Sequence, residues 1–181
     1  QQPLTASMQK WTADDLKNIP YIPKKRAISK FEVFGSLLWT AIWATLYFYA
    51  NQLIGVYEGD GTRLQFVMIA LNQEVLLQYL PLVILIIGLE ISFALYKLLK
   101  QQWTKGMAIW NAVLQLLSTV VFVVIVINPE IMNDHFVTYM MELFTMTRTQ
   151  FSIWVVGSAI IIFIVSAVIS VYDGFKRANA R

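Results

Sequence analysis

Cysteine is absent from the 181 residues, which excludes disulfides and thiol chemistry and says little about compartment. Histidine occurs once, as His135, and a single imidazole cannot form a base–orienter pair by itself. Charge is scarce as well, at 14% Asp, Glu, Lys and Arg against about 25% in soluble domains. No glycine-rich phosphate loop, nucleophile elbow or HExxH run occurs. The expectation is a protein that is not an enzyme and carries no cofactor. Met140, Met141 and Met146 near His135 raise a metal site as an alternative, but without Cys they give no ligand spacing and fit an apolar face better.

What the chain has in abundance is apolar sequence: 57% hydrophobic residues and a mean hydropathy of +0.59. It is gathered into uncharged runs at residues 33–56, 75–89, 106–127 and 151–172. Crossing about 30 Å of hydrocarbon takes roughly 20 helical residues. Three runs reach that length; the second does so only as 75–96, with Glu90 inside it. The predicted fold is therefore all-α and integral to a membrane, with four transmembrane helices. A soluble helical core would need polar outer faces, which the last run, FSIWVVGSAIIIFIVSAVISVY, does not offer. None of the runs has the form of a cleavable signal peptide. Beginning at Gln1 rather than Met, the sequence reads as a processed or truncated product.

The cations set the orientation. Twelve of the fourteen Lys and Arg fall before the first run, between the second and third, or after the fourth. The two remaining connections hold Arg63 and Arg148 beside Glu58, Asp60, Glu74, Glu130, Asp134 and Glu142. By the positive-inside rule both termini are cytoplasmic, so the net charge of +3 is a topology signal rather than a nucleic-acid signal. Lys24, Lys25, Arg26 and Lys30 would meet anionic lipid headgroups, each contributing about 1 kcal/mol. They serve either as ordinary topology-setting charge or as specific lipid recognition. The chain then divides into a cytoplasmic linker, 1–29, and a transmembrane domain, 30–181. In the linker Thr12 and Asp15 have capping-box spacing for a short helix that Pro20 and Pro23 break.

Outside the membrane, Asp60-Gly61 signals a turn, and 64–71 reads as a strand or an interfacial segment. Asn72 is placed to cap the second helix, which Pro81 should kink. Pro129 stops the third. Asn133 or Asp134 can cap a short outer amphipathic helix whose apolar face is Phe136, Val137, Met140, Met141 and Phe144.

Glu90 is the residue that needs explaining. It lies seven residues before Lys97, about 10 Å inside the cytoplasmic boundary, and Asn111 on the next, antiparallel helix falls at about the same depth. A charged carboxylate at a helix centre costs about 2.5 to 3.5 kcal/mol on insertion scales, so Glu90 should face the bundle and find partners. A polar cluster of Glu90, Asn111, Gln115, Ser118, Ser36 and Ser166 is expected. It either binds a proton, a cation or a partner's polar group, or serves as polar glue between helices. Ser166, Ser170 and Gly174 form a small-residue stripe for close helix approach.

Three segments, PKKRAISKFEVFGSLLWT, NQEVLLQYLPLVILIIGLEISFALYKLLKQQWTKGMAIWN and LLSTVVFVVIVINPEIMNDHF, resemble the membrane portion of the HAAS-type proteins of Gram-positive bacteria. The resemblance spans residues 23–177, most of the chain. In that family a helical cytoplasmic signalling domain precedes the membrane domain, and the acidic, helical domain expected upstream is absent from this sequence. The resemblance implies a non-enzymatic signalling or regulatory membrane anchor, or a sensor of envelope state, in a bacterial plasma membrane. The alternative is a small transporter accessory subunit, or an oligomeric ion or proton pathway using Glu90. Against a path within one subunit, the third helix beyond Ser118 and Thr119 offers no polar step outward. The expected partners are the anionic bilayer and either further copies of the chain or another membrane protein, with no nucleic acid.

Overall fold

The computed structural model describes residues 23–180. Its elements are α1 (Lys30–Phe48), α2 (Ala50–Leu53), β1 (Gly55–Gly59), β2 (Leu64–Ile69), α3 (Gln73–Gln78), α4 (Leu80–Lys100), α5 (Lys105–Ile127), α6 (Asp134–Phe144) and α7 (Arg148–Ala178). The short helix expected near Thr12 lies outside the described residues. Four helices, α1, α4, α5 and α7, are long and apolar enough to cross a membrane. They leave their large apolar side chains uncovered: Phe31 is 86% exposed, and Ile161 and Ile162 on α7 are 63% and 66% exposed. Exposure on that scale would be untenable in water and is ordinary toward lipid.

The helix starts follow local chemistry. Ser29 accepts from the Glu32 amide to cap α1, Thr104 from Met107 to cap α5, and Thr147 and Gln150 form a reciprocal capping box on α7. α1 packs on α4, α4 on α5 and α5 on α7, so helices adjacent in the row are adjacent in sequence order. Two apolar cores lie toward opposite ends of the long helices. Val33, Ala94, Trp103, Met107 and Ala178 meet at the end rich in cations. Ala50, Val75, Val83, Ile125 and Ile131 meet at the other.

Two boundaries differ from the sequence expectation. The first apolar run does not continue as helix to residue 56: it breaks at Tyr49, makes one turn as α2 and then enters β1. Gln73 stabilises the break by donating from Nε2 to the Phe48 carbonyl at 2.9 Å and accepting from the Asn51 amide. Pro81 does not kink a continuous helix. The chain breaks at Tyr79, and Pro81 stands in the first turn of α4, where its missing N–H deprives no intrahelical bond.

β1 and β2 pair antiparallel as a hairpin, with an irregularity between Val56 and Tyr57. Thus 64–69 is strand. Asp60 organises the turn by accepting from the Thr62 and Arg63 amides, each at 3.0 Å, and from the Thr62 hydroxyl at 2.8 Å. Gly61 supplies the left-handed residue at φ +90°. The amphipathic helix forms where expected, as α6, with Asn133 as its cap. Val137 is fully buried, and Phe136 packs edge-on to Phe151 of α7. Phe144, expected on the same face, is 55% exposed, because it follows Met140 at the helix end, beyond the surface α7 covers.

Candidate functional site

Glu90 sits midway along α4 on a line with Val83, Ile86 and Ala94, all buried, so its side chain leaves the helix on a packed face. Its Oε2 accepts from Thr40 Oγ1 at 2.9 Å and from the Trp43 indole N–H at 3.1 Å. Both donors belong to α1. Thr40 is 6% exposed, and its hydroxyl also lies 3.1 Å from the Ser36 carbonyl one turn back. The carboxyl group therefore joins α4 to α1 through two hydrogen bonds.

Asn111 does not meet Glu90. It is 4% exposed on α5 and donates through Nδ2 to the Ser170 carbonyl at 3.2 Å and to its hydroxyl at 3.3 Å, joining α5 to α7. The two were expected at equal depth, but depth does not set the direction in which each leaves its helix. The expected cluster is thus divided between two helix pairs. Ser36 contributes only its carbonyl, on the Glu90 side. Gln115 is half-buried, and its carbonyl accepts from the Thr119 hydroxyl at 2.7 Å. Ser118 is buried, and its hydroxyl has no partner among the described residues. Ser166 is exposed and returns its hydroxyl to the Ile162 carbonyl of its own helix.

The packing stripe shifts in the same way. Gly174 is buried, and a Cβ built there would lie 3.1 Å from Trp103 Cζ3 and 3.4 Å from Asn111 Nδ2. The residues on that side of α7 are Ala167, Ser170, Gly174 and Ala178. Ser166 falls off the line because a strict four-residue repeat drifts around a helix of 3.6 residues per turn.

A second constellation, at the cationic end, centres on Trp103 in the connection between α4 and α5. Gln101 ends α4 in the left-handed region, at φ 56°, and turns the chain back against residues 26–28. The Trp103 amide donates to the Arg26 carbonyl at 2.7 Å, the Ile28 amide to the Gln101 carbonyl at 2.9 Å, and Arg26 Nε to the Trp103 carbonyl at 3.3 Å. The ring is 3% exposed. The Lys97 ammonium stands 5.1 Å from its centre and the Arg177 guanidinium 5.5 Å, both within cation–π range. The indole N–H is buried without a partner among the described residues.

Arg177 completes the arrangement from α7. Two of its nitrogens reach the two oxygens of Glu32 on α1 at 2.7 and 3.0 Å, the bidentate form. It also donates to the Ala27 and Lys25 carbonyls, and Asp173 lies 3.9 Å away, one turn earlier. Lys24, Lys25 and Lys30 are exposed, whereas Arg26 is half-buried against the Trp103 segment. The sequence reading missed Trp103, Glu32 and Arg177 as a unit, although Glu32 had signalled it as the one acid among the cations entering the first helix. It also missed Thr40 and Trp43 as the partners of Glu90.

No family model, curated protein or solved structure matches this chain. Among the described residues no three His, Asp or Glu gather as a metal site would require.

Proposed function

We propose that the chain is a non-enzymatic multi-pass membrane protein that serves as a regulatory or signalling membrane domain, with its cationic end cytoplasmic. The observation that carries this reading is the attachment of residues 25–28 to the bundle by backbone bonds from Gln101 and Trp103 and by the Arg177 side chain. A segment tied in this way to α4, α5 and α7 moves when those helices move, so a change in the bilayer is passed to the juxtamembrane chain. The bacterial plasma membrane and the likeness to HAAS-type proteins belong to the same proposal. A transport role draws less support, since Glu90 is held on α1 and Asn111 on α7, leaving no continuous row of polar groups between them.

Two measurements test it. Because the native chain has no cysteine, single cysteines at Lys25 and Gly61 report their side unambiguously; an impermeant thiol reagent added outside intact cells should label only the second. Amide exchange at Ile28 and Trp103, followed in nanodiscs of short- and long-chain lipids, should change with bilayer thickness. Identical exchange in all lipids would sink the sensing role, and proton or cation flux above that of empty liposomes would favour transport instead.

A further inference from the structure

Beside the Trp103 segment the cationic end holds a concavity of about 410 Å³ lined by Arg26, Lys105, Ala178, Asn179 and Ala180. Its volume lies within the range of ligand-binding clefts, about 300 to 1,000 Å³. Among the described residues neither Arg26 nor Lys105 has an acidic partner. The neighbouring cation, Arg177, is by contrast occupied by Glu32. Two cations on one concave wall, neither paired with an acid among the described residues, form an anion site.

The rest of the wall suits the same ligand. Lys105 is the first residue of α5, a 23-residue helix whose amino-terminal dipole favours negative charge. Thr104 satisfies the Met107 amide, leaving the amides of Lys105 and Gly106 without an intrahelical acceptor. Arg26 is held in place by its bond to the Trp103 carbonyl, so its guanidinium is partly ordered before any ligand arrives. Among the described residues the rest of the lining is small: Ala178 and Ala180 bring no bulk, and Asn179 adds an amide.

The geometry points to a phosphate-binding site between Arg26 and the start of α5, of a size and position suited to the phosphodiester headgroup of an anionic lipid. The inference rests on the proposed reading only for which leaflet supplies the lipid. The chemistry, a phosphate oxyanion on a guanidinium, an ammonium and a helix amino terminus, is shared with soluble phosphates, and the experiment separates the two sources.

The full chain is purified in neutral detergent, and retention of added phosphatidylglycerol or phosphatidylcholine is measured by native mass spectrometry, with glycerol 3-phosphate as competitor. Both faces are open in detergent, so a wrong orientation does not affect the result. Wild type should retain phosphatidylglycerol over phosphatidylcholine. The Arg26→Gln, Lys105→Gln double variant should bind it roughly thirtyfold more weakly, at about 1 kcal/mol per cation near a lipid surface. Lys24→Gln with Lys25→Gln, on exposed lysines outside the cavity, should change little. Lys105→Arg, which keeps the charge, guards against misfolding and should retain the lipid. Displacement by millimolar glycerol 3-phosphate would identify a soluble phosphate as an adequate ligand, and resistance to it would assign the site to lipid. Equal retention of both lipids by wild type, or equal loss from both glutamine double variants, would overturn the site.

Discussion

At the scale of single residues, the two polar contacts within the bundle have different tolerances. Glu90 uses one carboxylate oxygen for both of its partners, and an amide carbonyl can accept the same two bonds. Glu90→Gln should therefore unfold within about 0.5 kcal/mol of wild type in a detergent titration, whereas Glu90→Ala should lose about 1 to 2 kcal/mol. The excess in the second case comes from leaving the Trp43 N–H without an acceptor. Gly174 has no such latitude, since any larger side chain meets Trp103. Gly174→Leu should cost about 1 to 3 kcal/mol, while Ser166→Leu, on the exposed side of the same helix, should stay within about 0.5 kcal/mol. A reversed order would show that α7 packs through Ser166 and not through Gly174.

At the scale of elements, the hairpin carries its own pH dependence. The amides of Thr62 and Arg63 and the Thr62 hydroxyl hold the Asp60 carboxyl below its ordinary value of 3.8. A carboxyl whose acidity is strengthened by folding stabilises the turn above its unfolded value, and that contribution disappears as pH falls through the folded one. Amide exchange at Thr62 and Arg63 should thus stay protected down to about pH 4 and rise below it relative to the intrinsic rate. Asp60→Asn should abolish this step, because its amide oxygen accepts at every pH.

The helices were legible in the sequence where length and charge alone define them, as in α5, which starts one residue from the expected position. The α1–α2–β1 boundary was not. Residues 49–56 remain uncharged across three changes of backbone state, and the partner that stabilises the break, Gln73, lies more than twenty residues later. For the candidate site, the cost of a carboxyl group within a span indicated that Glu90 faces the bundle, and it does bond to α1. Sequence depth could not assign the partners of Glu90 and Asn111, because these depend on which helices neighbour each other. The row α1, α4, α5, α7 puts Glu90 and Asn111 on opposite sides of the central pair.

For the molecule as a whole, α1 and α7 stand at opposite ends of that row and are joined at the cationic end by Glu32 and Arg177. Charge-assisted bonds of this kind are worth about 1.5 to 3 kcal/mol each before solvent screening, which reduces the net effect at a partly exposed site. Arg177→Gln should therefore lower stability by about 2 kcal/mol or less. It should also broaden the distance distribution between spin labels at Ser29 and Asn179, leaving a pair at Gln52 and Thr149 unchanged. Arg177→Lys should restore little, since an ammonium cannot reproduce the bidentate contact. An unaltered distribution for Ser29 and Asn179 in Arg177→Gln would mean that apolar packing alone closes this end.

That same ion pair bears on the order in which the molecule is made. Its partners are 145 residues apart, so at roughly 5 to 20 residues per second the ribosome needs about 7 to 30 s to supply the second after the first. The contacts of α1 with α4, of α4 with α5 and of α5 with α7 can each form as the helices emerge. Glu32 waits unpaired until α7 has been inserted, although residues 26–28 can already be held by Gln101 and Trp103. A nascent chain stalled before that point would hold its juxtamembrane segment by the α4–α5 connection alone, without the bonds from Arg177, and that weaker attachment would distinguish unfinished molecules from finished ones.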